Sequence, residues 1–312
     1  MKNLLNRPVF WAFSLLLLTT TAYTQQINLP RESPRAGVSY QIGLTDITIT
    51  YSSPAVKGHE IWGGLVPYEQ VWRAGANEAT TIEFSTDVNM EGTNLPAGKY
   101  AFFLIPREGD QAWTAIFNKQ ADQWSAFSYD INHDAIRVEV KPTFNNGVQE
   151  RLMYSIHDHD SDKGYIKFAW DDVRLYLRFK VDVLAAAMEN ILTAIEEAPE
   201  DKKWIMYAQG ANFLLEVDQN IRQALQWADM STSRRNSAWN WWIKAQLQAK
   251  SGDLTTAVNS AQKAIDLGEA AGTDGFYNRS KPDIIAKLES WKRELGIETP
   301  VPTPIPVVDD EH

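Results

Sequence analysis

A chain of 312 residues without a cysteine can form no disulfide, offer no thiol nucleophile and take no lipid at a signal-cleavage cysteine. A formal net charge of −10 at pH 7, with no basic run, makes nucleic acid and an anionic membrane surface poor partners. The length leaves room for two domains stabilised by their cores alone.

Lys2 and Arg7 give the chain a positive start, Phe10 to Leu18 is a short apolar run, and Thr19 to Thr24 is small or polar. This is the layout of a secretory signal peptide over residues 1–24, with Ala22 and Thr24 at the −3 and −1 positions and cleavage before Gln25. The apolar run is too short to span a bilayer comfortably. The expectation is a periplasmic or secreted protein with no membrane association after cleavage.

From residue 30 to about residue 182, alternation at period two predicts strands. They are read at Ile47–Tyr51, Thr81–Ser85, Lys99–Ile105, Ala112–Phe117, Ile136–Val140, Leu152–Ile156, Tyr165–Trp170 and Val173–Val181. Many short strands separated by turn residues predict an antiparallel sandwich or barrel, of which the β sandwich is the expectation taken forward, and Asn145-Asn146-Gly147 is a tight-turn signal within it. The fold class is mainly β followed by α.

Between the first two of these strands lies Tyr51 to Thr80, thirty residues of loop chemistry. A loop this long in a compact domain is usually functional or disordered. Its rings (Tyr51, Trp62, Tyr68, Trp72) can bury enough area to order it.

His157 to Gly164 (HDHDSDKG) has a superficial likeness to a calcium loop. Its glycine comes one position late, and position twelve is Ala169 where a bidentate glutamate is needed. His157 and His159 could share a strand face as transition-metal ligands. The favoured reading is a charged hairpin loop, and neither metal nor cofactor is expected.

After Asp182 the period becomes helical, with helices at 183–197, 201–216, 219–231, 237–250, 253–270 and 281–295. Ser251-Gly252-Asp253 ends one helix and caps the next, and Ser280-Lys281-Pro282-Asp283 reads as a capped start with proline in the first turn. Trp239 to Leu267 resembles a tetratricopeptide repeat. Trp241, Ala245, Gly252, Asp253, Ala257, Ala261 and Ala264 fall where that family places its aromatic, small and turn residues. A weaker unit, with Ala224 and Ala228, precedes it. Two repeats are fewer than a solenoid usually needs, so the first helix or one open face is expected to pack on the sandwich. The domain assignment is a helical unit over 183–298 and an extended, proline-rich tail over 299–312.

Residues 30 to about 182 resemble DUF2911, a bacterial family of unknown function. The resemblance rests on Ser33-Pro34, Tyr51-Ser52-Ser53-Pro54, Lys57 to Gly63, Leu65-Val66-Pro67-Tyr68, Val71 to Thr80, Leu95 to Tyr100 and Trp113 to Asn118. His59 stands where the family usually has arginine, and Glu69 where it usually has a small residue. The resemblance implies a domain boundary and interest in the loop, but no activity.

The candidate ligand-binding residues are His59, Trp62, Tyr68, Trp72, Arg73, Asn77 and Glu78. Rings beside a guanidinium, an amide and a carboxylate suit a small glycan or carboxylate. The competing expectation is that Arg73 pairs with Glu78 while the rings plug one end of the sandwich. No motif identifies catalytic residues. The first functional reading is a non-catalytic binding or scaffolding protein of the envelope, taking a protein or peptide partner through its helices. The alternative is a hydrolase acting on a glycan or related ligand in loop 51–80.

Overall fold

The computed structural model describes residues 29–144 and 147–297. The signal-like segment, the proline-rich tail and the Asn145-Asn146 turn lie outside the described residues.

Eleven strands form the amino-terminal half among the described residues: β1 (Arg35–Ile42), β2 (Thr45–Ser52), β3 (Thr80–Phe84), β4 (Val88–Met90), β5 (Thr93–Leu95), β6 (Gly98–Ile105), β7 (Trp113–Asn118), β8 (Asp134–Val140), β9 (Gln149–Asp160), β10 (Lys163–Asp171) and β11 (Val173–Val181). They make two antiparallel sheets, ordered β1-β2-β3-β6-β7-β8 and β5-β4-β11-β10-β9. Side chains alternate across each strand, so one face of each sheet is apolar. Ile47, Ile49, Phe84, Phe102 and Phe117 from the first sheet meet Leu152, Tyr154, Phe168, Leu175 and Leu177 from the second in one core.

The periodicity of the eight predicted strands matches this arrangement. Strand β1 lies outside the eight although Ala36, Val38, Tyr40 and Ile42 alternate along it; it is an edge strand in which Ile42 alone is fully buried, while Ala36 and Val38 pack partly on the core. Strands β4 and β5 are three residues each, too short to show a period. In β7 every residue is buried, because its outer side is covered as well. There Ala101, Phe103 and Ile116 pack with Val71, Ala126 and Tyr129.

Six helices follow: α1 (Val183–Glu197), α2 (Lys203–Glu216), α3 (Ile221–Arg234), α4 (Ala238–Lys250), α5 (Leu254–Ala271) and α6 (Gly275–Glu294). Asp182, Ser237 and Asp253 cap three of them with side-chain oxygens, and Gly252 turns between α4 and α5 at φ 90°.

Helix α6 departs from its predicted start. It begins at Gly275, capped by Asp274 on the amides of Phe276 and Tyr277, and carries Pro282 in its interior. Burial of Tyr277 against Gly268 outweighs the hydrogen bond that proline removes.

The helices form two clusters. Helices α1, α2, α3 and one side of α4 enclose Ala208, Leu214, Ala224, Trp227 and Leu247. The other side of α4 joins α5 and α6 around Trp242, Ala261, Tyr277, Leu288 and Trp291. Leu184, Met188, Ile191 and Ile195 of α1 belong to the first cluster. Val183 is the helix residue that packs on the sandwich core. The expected docking of a whole helix face onto the sheets is therefore not observed.

Candidate functional site

The chain leaves β2 at Ser52 and crosses the end of the sandwich. It is held there by backbone bonds from Val56 N to Glu150 O and from Leu152 N to Pro54 O. It returns at Trp72, whose amide and carbonyl both pair with Leu104 of β6 at 2.8 and 2.9 Å. Trp72 thereby continues the ladder beyond the start of β3, and strand parity turns its ring inward and Arg73 outward.

The inward side is filled by rings. Trp62 packs edge-on to Trp72, Trp113 and Trp170, with centroids 5.8, 4.8 and 5.7 Å away, and Trp72 stacks on Trp170. Trp72 is buried and Trp62 packs against the same core. Both tryptophans act as the plug rather than as open stacking platforms. Tyr68 is half-buried at the rim, and its phenol is pushed up by burial and then by the carboxylates of Glu108, Asp172 and Glu60. His59 is exposed, in the turn after Val56.

The outward side carries the polar candidates, and the expected Arg73–Glu78 pair is not formed. Glu78 is held by Arg31 instead, whose Nη1 donates to both carboxylate oxygens at 2.8 Å. That hydrogen bond is the main reason its carboxyl sits below the ordinary range. Arg73 donates from Nη1 to Ser125 Oγ at 3.2 Å. Its Nε is buried without a partner, it makes no ion pair among the described residues, and burial pushes its pKa down. Asn77 donates to Ser33 O and Ser52 Oγ, and its carbonyl accepts from Ser125 N. Glu78 and Trp124 pair across the same strip.

Ala74, Asn77 and Ser125 all adopt positive φ, at 51°, 58° and 63°. Non-glycine residues there carry local strain, which surrounding contacts must hold in place. Ala74 O supplies some of that hold, accepting from Tyr154 Oη at 2.8 Å and Thr80 Oγ1 at 2.9 Å.

Beside this strip, on the outer face of β2, β3 and β6, lies a concavity of about 320 Å³. Arg35, Glu78, Lys99, Asp122, Gln123 and Trp124 contribute to its wall. Of the seven predicted residues, Glu78 lines it, whereas His59 and Arg73 do not. Arg31, Ser125 and Trp124 were missed by sequence reasoning. Arg31 and Ser125 are 47 and 52 residues from their partners, and no local pattern announces either contact.

The segment His157–Gly164 is the end of the β9–β10 hairpin, but the strands run on to Asp160 and restart at Lys163, so the expected charged loop shrinks to Ser161-Asp162. Among the described residues no cluster of three or more His, Cys, Asp or Glu could hold a metal. No described helix is long and apolar enough to cross a membrane.

Two antiparallel sheets with an end-plugging loop, followed by six helices, define the class: a β sandwich joined to a helical, repeat-like region. The family model described as a protein of unknown function (DUF2911) matches residues 33–179. No curated protein and no solved structure matches the chain.

Proposed function

We propose that the protein is an exported, non-catalytic binding protein of the cell envelope, which holds a small glycan or carboxylate on the outer face of the six-stranded sheet. The observation that carries this reading is the concavity around Trp124. The indole is 58% exposed, and Arg35 and Lys99 stand beside it with no ion pair among the described residues. Glu78, clamped by Arg31, adds a fixed acceptor. An open ring flanked by free cations and an oriented carboxylate suits a carboxylated sugar.

The signal-like amino terminus supports export. The paired helices support a second role, as a tetratricopeptide-like platform for a protein or peptide. The hydrolase reading has less support. Glu78 is engaged by Arg31 and held ionised, so it is a poor general acid, and His59 does not line the concavity.

Calorimetric titration with glucuronic acid and with glucose tests the proposal. The acid is expected to bind and the neutral sugar not to, with Trp124→Ala and Lys99→Ala each weakening binding by about tenfold or more. No binding of glucuronate by the wild-type protein, or equal binding by both variants, would overturn it.

A further inference from the structure

The outer face of the other sheet carries a different pattern. Inward positions of β10 and β11 are apolar, and strand parity sends the residues between them outward. Cross-strand register then sets Lys163 opposite Lys180, Tyr165 opposite Arg178, and Lys167 opposite Tyr176. Each row holds at least one cation, and two of the three hold a tyrosine. Adjacent strands lie about 4.8 Å apart and alternate residues about 7 Å apart, so these six side chains form one compact patch. A concavity of about 380 Å³ opens on it.

Like charges directly across a ladder are destabilising. The sheet nevertheless places Lys163 against Lys180. Lys163 has carboxylates nearby, Asp162 at 3.7 Å and Asp160 at 3.9 Å. Lys167, Arg178 and Lys180 make no ion pair among the described residues, in a chain whose net charge is −10. The rings are held in orientation: His157 stacks on Tyr165 at 4.9 Å, and Tyr165 meets Tyr176 edge-on at 5.6 Å. Lys167 lies 6.0 Å from the Tyr176 centroid.

The geometry points to a binding face for an acidic polysaccharide, with sugar rings against Tyr165 and Tyr176 and their carboxylates met by Lys167, Arg178 and Lys180. Sparse charge on the ligand is what this patch fits. A nucleic-acid strand carries one charge per 3.4 Å or so, and tight binders neutralise roughly 6–10 phosphates. Four cations on an acidic protein do not supply that. A bilayer would need apolar side chains to insert. Here the exposed large apolar side chain on the face is Met153, outward on β9. The face belongs to the sheet opposite the Trp124 concavity and does not depend on that proposal.

The test is calorimetric titration of the purified full chain with a hexamer of galacturonic acid, alongside a neutral glucose hexamer, a ten-residue thymidine oligonucleotide and phosphatidylserine vesicles. All titrations use the Trp124→Ala background, so that the first concavity does not contribute. The galacturonate hexamer is expected to bind, about tenfold more weakly in Arg178→Gln/Lys180→Gln and about fivefold or more in Tyr176→Ala, with melting not lowered in the charge variant, because these side chains stand on the solvent face and loss of Lys180 relieves its repulsion with Lys163. Doubling the salt is expected to weaken the parent but hardly the charge-depleted variant. Absence of galacturonate binding, equal binding by the variants, or equal binding of the neutral hexamer would overturn the proposal. So would oligonucleotide or vesicle binding that is at least as tight and lost in the same variants.

Discussion

The sandwich and the helices bury their tryptophans in contrasting ways. Trp62, Trp72, Trp113 and Trp170 converge on one cluster that joins both sheets to the long loop. Trp227 belongs to one helical cluster, and Trp242 with Trp291 to another, with α4 between them. A continuous core shares any loss across the whole unit. A series of neighbour contacts keeps the loss local, as in stacked repeats. With Val183 as the helix residue on the sandwich core, the two halves should also respond separately.

The largest expected effect tests the continuous core. Trp72→Ala removes a 9%-exposed indole stacked on Trp170 and should destabilise the sandwich by about 3–5 kcal/mol. Hydrogen exchange should rise across both sheets, including β7 and β11, while α4–α6 keep their protection. Equal loss of protection in the helices would show one cooperative unit instead of two. The reciprocal change is Gly268→Ala. Its new methyl would fall on the Tyr277 ring of α6, and overpacking there should cost the helices about 1–3 kcal/mol. Exchange should rise first in α5 and α6, with the sheets unaffected. A uniform increase through α1–α3 would mean that the helical clusters are not separable.

Smaller again is the effect of the ion pair on the loop's outer side. Arg31 holds the Glu78 carboxyl below its unfolded value, so its contribution is present above the unfolded pKa and lost as pH falls through the folded one. Both partners are about half exposed, which limits the pair to about 0.2–1 kcal/mol after screening. Denaturant midpoints for wild type and Arg31→Ala should differ slightly at pH 7 and converge as the acid limb is entered. A difference that persists well below the carboxylate range would assign the effect of Arg31 to something other than charge.

The contrast between halves also explains what could be read from sequence. Helix periods and capping residues are local, so the bounds of α1 and the Gly252-Asp253 turn followed directly from the residues. The sandwich was legible through strands such as β11, buried on one side and exposed on the other. Helix α6 was misread at its start because Pro282 is a strong local signal, while the Tyr277–Gly268 contact that overrides it is tertiary. At the candidate site the residue types were visible but their partners were not. Arg73, Asn77 and Glu78 sit within six residues, which invited a pairing among them. The backbone instead turns through positive φ at Ala74 and Asn77 and delivers them to Ser125, Ser52 and Arg31. The cationic patch on β10 and β11 was hidden for a related reason: its residues alternate with apolar ones, so no basic run exists in the chain.

The smallest expected effect is a coupling of nearly zero, and it decides how the loop is held. If Arg73 and Glu78 were a buried pair, removing either would leave a stranded charge and cost roughly 3–5 kcal/mol. Glu78 has its own partner in Arg31, whose Nη1 is shared between both carboxylate oxygens, and Arg73 rests on one hydroxyl with Nε unpaired. For Arg73→Ala, the lost charged hydrogen bond, worth about 1.5–3 kcal/mol, is offset by relief of a desolvated guanidinium. The net change should stay within about 1 kcal/mol. In a double-mutant cycle, Arg73→Ala with Glu78→Gln should be additive within about 0.5 kcal/mol, whereas Arg31→Ala with Glu78→Gln should show the larger coupling. Ser125→Ala should be non-additive with Arg73→Ala, because the two share one contact. Strong Arg73–Glu78 coupling would restore the self-paired loop. Additivity there, together with coupling to Ser125, would identify Arg73 as the tether of the strained 123–125 strip that walls the Trp124 concavity.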